Sequence, residues 1–113
     1  KPLPGFHYMV GAFGGDDVPC VPYSTFGSET LARDVADALQ ARNACLMANH
    51  GATARGRSLA AAVSLAHRLE ISCRHYVLAR ALGEPRRLTP EEWTDFHRRT
   101  GAQTHCRAVC HRA

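Results

Sequence analysis

The sequence predicts a single α/β unit, because short β-prone segments alternate with segments of helical period in a short chain. Its 113 residues are enough to bury one hydrophobic core but not two. Apolar residues make up 45% of the chain and charged residues 21%, proportions that exclude a disordered chain and a coiled coil. No apolar run approaches the length of a membrane span, so we expect neither a membrane segment nor a membrane partner.

Two extended segments are predicted ahead of the first helix. Residues 6–10 are aromatic and β-branched, which favours a strand, and the Gly-Gly-Asp-Asp run at 14–17 ends that strand in a turn. The two aspartates are adjacent, so we expect their side chains to diverge and to act as turn residues rather than as a carboxylate pair. Residues 18–26 resume an extended pattern, but Pro19 and Pro22 cannot donate ladder hydrogen bonds. That segment is therefore predicted to be an edge strand or an irregular one.

Helix signals and one further strand follow. Ser28 is the predicted N-cap of a first helix, in which Leu31, Val35 and Leu39 recur every four residues. Residues 44–48 form an apolar run of buried-strand length. A long helix is predicted over about 58–82.

The long helix is predicted to bury one apolar stripe and to end sharply. The predicted stripe consists of Leu59, Ala62, Val63, Ala66, Leu69, Cys73, Tyr76 and Val77. Gly83 and Pro85 end the helix. The Thr-Pro-Glu-Glu run at 89–92 is a capping box that opens a short last helix.

The formal charge of +4 is carried almost entirely by arginine, since Lys1 is the only lysine. The arginines are scattered, acidic residues stand among them, and no aromatic residues interleave with them as stacking platforms. We therefore expect no nucleic-acid partner.

Five widely spaced cysteines, with no CxxC pair and no secretory apolar segment, indicate a reduced cytoplasmic setting. Cys45 and Cys73 are predicted to be small buried apolar residues. Residues 101–113 form a basic tail beyond a domain at 1–100. In that tail Cys106 and Cys110 share a face if the segment is helical, which leaves a metal or disulfide role open.

His50 is the strongest candidate for chemistry, because it stands between Asn49 and Gly51 directly after an apolar strand. A neutral imidazole there can bind zinc, or it can simply bond to a strand-end carbonyl, and the residues alone leave both open. His7 and Tyr8 are predicted to point to opposite faces of a strand. None of the other histidines forms a His-x-His pair with a neighbour.

Four segments in order resemble the C-terminal half of the class II aldolase/adducin family. They are residues 6–9 (Phe-His-Tyr-Met), 14–20 (Gly-Gly-Asp-Asp-Val-Pro-Cys), 22–27 (Pro-Tyr-Ser-Thr-Phe-Gly) and 42–51 (Arg-Asn-Ala-Cys-Leu-Met-Ala-Asn-His-Gly). The resemblance extends to about residue 100. It implies a three-layer α/β fold with a mostly antiparallel central sheet, whose N-terminal half is absent from this chain. It also implies a homotetramer with active sites between subunits.

The resemblance implies a lyase that cleaves a ketose phosphate, such as fuculose phosphate, by a retro-aldol step through an enediolate. Members of the family hold zinc with a His-x-His pair and a third histidine, which His50 matches. Tyr8 matches a tyrosine that protonates the aldehyde oxygen in a neighbouring subunit's site. Phe26 matches an aromatic residue near that site, where the sugar-phosphate substrate binds.

The family's His-x-His pair and its acid/base glutamate precede the segment that matches residues 6–8, so they fall upstream of Lys1. One histidine cannot hold a catalytic zinc, and we therefore expect a fragment that is inactive alone. Two alternatives stay open. One is a sugar-phosphate epimerase of the same superfamily, and the other is a non-catalytic adducin-like interaction module or decayed remnant.

Overall fold

The computed structural model describes residues 1–101, which contain the alternating strands and helices of an α/β chain. In chain order the elements are a 3-10 helix (Tyr8–Phe13), β1 (Cys20–Val21), α1 (Glu29–Ala41), β2 (Ala44–Met47), β3 (Gly51–Ala54), α2 (Leu59–Leu82) and α3 (Pro90–Thr100).

The strands of the described region form one mixed sheet in the order β1-β2-β3. β1 pairs with β2 in parallel, with Cys20 opposite Leu46, and β2 pairs with β3 in antiparallel register. β1 is an edge strand, as its flanking prolines predicted. Pro19 still contributes as an acceptor, because its carbonyl receives a hydrogen bond from the Leu46 amide at 2.8 Å.

The predicted strand at 6–10 is wrong, because the chain forms a 3-10 helix from Tyr8 to Phe13 instead. The His7 side chain caps this helix by accepting a hydrogen bond from the Met9 amide at 3.1 Å. Val10 and Phe13 stand three residues apart, and the 3-10 repeat places both on one side, where they are fully buried. Burial of this pair explains why the helical conformation prevails over local strand propensity.

The three α-helices begin where the sequence predicts, because each is capped by a hydroxyl side chain. Ser28 accepts from the Leu31 amide at 3.2 Å, and Ser58 accepts from the Ala61 amide at 3.1 Å. Thr89 completes the predicted capping box with Glu92. Gly83 ends α2, as predicted.

The core lies between the sheet, the 3-10 helix, α2 and α3. Its buried cluster consists of Leu3, Val10, Phe13, Val18, Ala44, Leu69 and Trp93.

The predicted apolar stripe of α2 is only partly right. Leu69 is buried and Tyr76 packs against the core, but Leu59, Val63 and Val77 are exposed. Ser72 lies on the buried side although it is polar. The apolar residues of α2 are distributed around the whole helix, so periodicity alone cannot identify the face that packs against the core.

The cysteines of the described region are free thiols at Cys20, Cys45 and Cys73. Burial raises the pKa of the Cys45 thiol, with a smaller contribution from Cys20, and burial together with Glu70 raises the pKa of Cys73. Both thiols are therefore poor nucleophiles, as expected of packing residues. Cys106 and Cys110 lie outside the described residues. Within residues 1–101, no helix combines the length and apolar character that a membrane span requires.

Candidate functional site

The candidate site lies at the sheet edge where β1 and β2 both end. Because the two strands are parallel, the loops that follow them are neighbours. A hydrogen bond from the Ala48 amide to the Val21 carbonyl, at 3.1 Å, joins the start of the two loops. The loop after β1 carries Tyr23, Ser24 and Phe26, and the loop after β2 carries His50.

His50 occupies the tip of the hairpin between β2 and β3, which the sequence did not predict as a hairpin. Met47 pairs with Gly51, and the His50 amide donates to the Met47 carbonyl at 3.1 Å. Asn49 has a φ of 62° and Gly51 a φ of 142°. No described atom lies within 4 Å of a Cβ built on Gly51, so this glycine is required by its backbone conformation rather than by a close approach.

The His50 imidazole has two described contacts, both with the loop after β1. Its Nε2 lies 2.8 Å from the Ser24 carbonyl oxygen, and the Tyr23 ring stacks on it at 5.3 Å with an interplanar angle of 10°. Among residues 1–101 no hydrogen-bonding group reaches its Nδ1. The imidazole therefore bonds to a carbonyl, as one of the two sequence interpretations stated, and still keeps one ring nitrogen without a described bond.

Tyr8 lies in a separate aromatic cluster at the start of the 3-10 helix. It is 55% exposed, its ring stacks on His7 at 4.7 Å, and Phe96 of α3 lies 6.2 Å away. The prediction that His7 and Tyr8 point to opposite faces is wrong, because the segment is helical rather than extended.

Phe26 is 82% exposed and stands in the turn that leads into α1. Among the described residues, no hydrogen bond or ring contact joins Tyr8 to His50 or to Phe26. The structure thus places Phe26 and His50 on neighbouring loops and leaves Tyr8 in a different cluster.

Within residues 1–101 the structure shows no complete metal site. No group of three histidine, cysteine, aspartate or glutamate side chains within residues 1–101 is arranged to hold an ion. His67 and His75 are exposed on α2, and His97 stacks on Trp93 at 5.8 Å. His50 fits as one ligand because it is exposed and keeps a ring nitrogen without a described hydrogen bond.

Arg42 has a structural role that the sequence interpretation missed. Its Nε donates to the Asp17 carbonyl and carboxylate at 3.2 and 3.0 Å, and its Nη2 lies 3.2 Å from the Asp16 carboxylate. The prediction that the two aspartates diverge is therefore wrong, because both carboxylates converge on one guanidinium. Only the tertiary fold brings Arg42 to this turn, 25 residues away along the chain.

A concavity of about 520 Å³ lies beside the chain's first residues, and Leu46, Tyr76 and Trp93 are among the residues that line it. Neither Tyr8, Phe26 nor His50 lines it, so it is distinct from the candidate site.

Comparison with known proteins identifies similar sequences and folds. The family model described as "Class II Aldolase and Adducin N-terminal domain" matches residues 1–77. A 5-methylthioribulose-1-phosphate/5-deoxyribulose-1-phosphate aldolase of Rhodospirillum rubrum is 41% identical over 92 residues, which cover 81% of this chain and 42% of that protein. An L-fuculose phosphate aldolase of Escherichia coli K12 is 40% identical over 85 residues, covering 75% of this chain and 40% of that protein.

A solved structure of L-fuculose 1-phosphate aldolase has a TM-score of 0.82 to this chain at 36% identity. The similarity covers 89% of this chain and 47% of that one. The α/β fold class expected from the sequence is thereby confirmed. The chain spans less than half the length of the curated relatives it matches.

Proposed function

The chain belongs to the class II aldolase and adducin family, and on that premise we propose that it is the C-terminal part of a metal-dependent aldolase. The reaction is a lyase step in which a ketose phosphate is cleaved between two carbons. The names of the relatives support this substrate class, since both describe aldolases of sugar phosphates. The observation that carries the proposal is the exposed His50 imidazole, which contacts Tyr23 and Ser24 in the loop that also carries Phe26.

His50 is proposed as one ligand of a divalent metal ion, with zinc as the expected ion. A catalytic zinc takes three protein ligands and one open position, and residues 1–101 supply only His50. The other ligands and the acid/base glutamate are therefore assigned to sequence outside this chain. On this proposal the 113 residues alone are inactive.

In the proposed site three side chains of this chain have different roles: His50 binds the metal, Tyr8 transfers a proton and Phe26 contacts the substrate. The metal, when bound, supplies Lewis-acid polarisation of the substrate carbonyl. Tyr8 gives a proton to the oxygen of the aldehyde when the carbon–carbon bond forms, and takes it back on cleavage. Phe26 offers an exposed apolar surface to the carbon chain of the substrate.

The proposal places Tyr8 in the site of a neighbouring subunit. Tyr8 and His50 lie in separate clusters with no described contact, which supports a site built from two copies of the chain. A homotetramer is the proposed assembly.

A non-catalytic adducin-like module is the second candidate. The absence of a complete ligand set within residues 1–101 favours it. The two candidates differ in whether the whole gene encodes a His-x-His pair and a glutamate.

Replacing His50 tests the ligand role. In the protein translated from the whole gene, we expect His50→Ala to abolish stoichiometric zinc and to lower aldol cleavage by more than about 100-fold, because the metal set loses one of its ligands. Zinc is measured by mass spectrometry and cleavage by release of aldehyde. His75→Ala, at an exposed histidine of α2, is the matched control and is expected to keep both the zinc and the cleavage activity. Full zinc occupancy with unchanged turnover in His50→Ala excludes the ligand role.

Replacing Tyr8 tests the proton-transfer role. We expect Tyr8→Phe to lower kcat by about 100-fold or more while zinc content stays at the level of the unmodified protein. The ring contacts of Tyr8 with His7 and Phe96 need no hydroxyl, so the fold is retained. Steady-state kinetics of cleavage measure the effect. An unchanged kcat contradicts the assignment of Tyr8.

A further inference from the structure

His7 contacts the start of the 3-10 helix through both its backbone and its side chain. Its carbonyl accepts the first backbone hydrogen bond of the helix, from the Val10 amide at 3.0 Å. Its Nδ1 accepts a second hydrogen bond, from the Met9 amide at 3.1 Å. The imidazole therefore satisfies an amide that the helix itself leaves without a partner, and it does so directly beside Tyr8, the first residue of the helix.

The ring of His7 also contacts the Tyr8 side chain. The two rings stack at 4.7 Å with an interplanar angle of 27°, and the Phe96 ring lies 6.2 Å from that of Tyr8. Among residues 1–101 no hydrogen bond holds the Tyr8 hydroxyl. Because the phenol is also more than half exposed, its direction depends on these ring contacts.

Core packing does not explain why a histidine stands at this position. The His7 side chain is exposed, and the burial of Val10 and Phe13 holds the helix further along the chain. The usual N-cap side chains, those of Ser, Thr, Asp and Asn, accept an amide hydrogen bond but have no ring. A phenylalanine ring stacks but cannot accept. An imidazole does both, since one ring nitrogen is an acceptor.

The hydrogen bond at the helix start links the two contacts of His7. A backbone amide can only donate, so the Nδ1 that bonds to Met9 carries the lone pair, and the proton of the neutral ring lies on Nε2. Because Nδ1 is fixed on the amide, rotation of the imidazole about its side-chain bonds is restricted. The face that the imidazole presents to Tyr8 is restricted with it.

We propose that His7 is a positioning residue for Tyr8: the hydrogen bond from the Met9 amide fixes the imidazole, and the stacked imidazole fixes the direction of the Tyr8 phenol. The consequence for catalysis rests on the proposed function, in which the Tyr8 hydroxyl transfers a proton. The cap and the stack are properties of this chain and hold whether or not Tyr8 reacts.

Nuclear magnetic resonance of the 113-residue chain tests the two contacts. At about pH 8, where an unperturbed imidazole is neutral, we expect His7 as the Nε2–H tautomer and Tyr8 ring protons shifted by the His7 ring. His7→Asn keeps the cap and loses the shift. His7→Phe keeps a stacking ring and loses the cap, so hydrogen exchange at the Met9 amide accelerates by about three- to tenfold. His67→Ala, at an exposed histidine of α2, changes none of these signals.

Kinetics of the protein translated from the whole gene test the consequence for Tyr8. We expect His7→Ala to lower kcat by about 5- to 100-fold with unchanged zinc content, because a hydroxyl that is not held in place transfers its proton less efficiently. In the Tyr8→Phe background the same substitution lowers kcat by less than about twofold, because no hydroxyl is left to position. A merely structural role of His7 predicts equal losses in the two backgrounds.

The proposal is overturned by an Nδ1–H tautomer of His7 in the unmodified chain. It is also overturned if the Tyr8 ring signals of His7→Ala equal those of the unmodified chain, with circular dichroism showing that the variant is folded, or if His7→Ala lowers kcat equally in the two backgrounds. The proposed function fails separately. If Tyr8→Phe itself leaves kcat unchanged, Tyr8 is not the proton donor, and the tautomer and the ring shifts decide whether His7 positions it.

Discussion

At the scale of single residues, the turn after the 3-10 helix depends on one arginine. The Arg42 side chain is only 22% exposed and binds the carboxylates of Asp16 and Asp17 together with the Asp17 carbonyl. Partial burial and several hydrogen bonds make such an arrangement stronger than a surface ion pair. Arg42 thereby fastens the end of α1 to the segment that carries Tyr8.

Truncation of Arg42 is expected to cost stability. We predict that Arg42→Ala lowers the free energy of unfolding by about 1–2 kcal/mol, because the guanidinium's contacts with the Asp17 carbonyl and with both carboxylates are lost. Arg74→Ala is the matched control, since Arg74 pairs with Glu70 on the exposed surface of α2, and its cost is below about 0.5 kcal/mol. Urea unfolding followed by circular dichroism compares the two. Equal losses contradict the role assigned to Arg42.

Local sequence singles out candidate residues but does not predict their contacts. His50 stands out because it is a lone histidine between a buried strand and a glycine, a pattern visible locally. The contacts of Tyr23 with His50 and of Arg42 with Asp17 could not be found in this way, because they join residues about 25 positions apart that only the fold brings near.

At the scale of elements, hydrogen bonds in the first turn of α3 stabilise the start of that helix. Glu92 accepts from the Thr89 amide at 2.8 Å and pairs with Arg86 through both carboxylate oxygens. These hydrogen bonds, that of Arg86 first, hold the pKa of the Glu92 carboxyl below its usual range. Hydrogen bonds from Arg99 and Arg98 lower the pKa of Asp95 in the same helix.

The lowered pKa of Glu92 predicts a pH dependence. A carboxyl whose pKa falls on folding stabilises the folded state above its unfolded pKa of about 4.3, and this contribution is lost as the pH falls through the folded value. We expect the melting temperature of Glu92→Gln to fall less than that of the unmodified chain when the pH is lowered from about 6 to about 3, the range in which carboxyl groups titrate. Glu91→Gln, in the same turn, serves as the control. Identical acid sensitivity in the two variants contradicts this role of Glu92.

The 3-10 helix and α3 approach each other closely at Gly11. A Cβ built on Gly11 overlaps the Phe96 ring, so even alanine cannot be accommodated without movement. We predict that Gly11→Ala lowers the free energy of unfolding by about 1–3 kcal/mol through overpacking. Adding Phe96→Leu to Gly11→Ala is expected to relieve part of that cost. A double-mutant cycle with the two single variants measures this relief as an interaction free energy. A Gly11→Ala chain that melts like the unmodified one contradicts the contact.

A helix or strand could be predicted from the sequence when the interactions that determine it are local along the chain. The three α-helices were predictable because their serine and threonine caps are encoded within a few residues. The segment at 6–10 was not predictable, because burial of Val10 and Phe13 against distant elements decides its conformation. The hairpin between β2 and β3 was missed because residues 51–54 (Gly-Ala-Thr-Ala) carry little strand propensity.

At the scale of the whole molecule, the proposed site lies at the edge of a small sheet where two parallel strands end. There His50 contacts Tyr23 and Ser24 of the loop that also carries Phe26, while Tyr8 belongs to a separate aromatic cluster with His7 and Phe96. The fold class was predictable from alternating strand and helix signals. The arrangement of the site was not, because it depends on which strands are parallel and therefore which loops are neighbours.

We propose, as the central claim, that this chain is the second part of a metal aldolase whose remaining ligands precede Lys1. The most direct measurement is to determine the coding sequence immediately upstream of the Lys1 codon. The claim predicts an open reading frame that encodes a glutamate and then a His-x-His pair. A stop codon, or an initiation codon directly before Lys1, leaves His50 without partner ligands and contradicts the enzyme assignment.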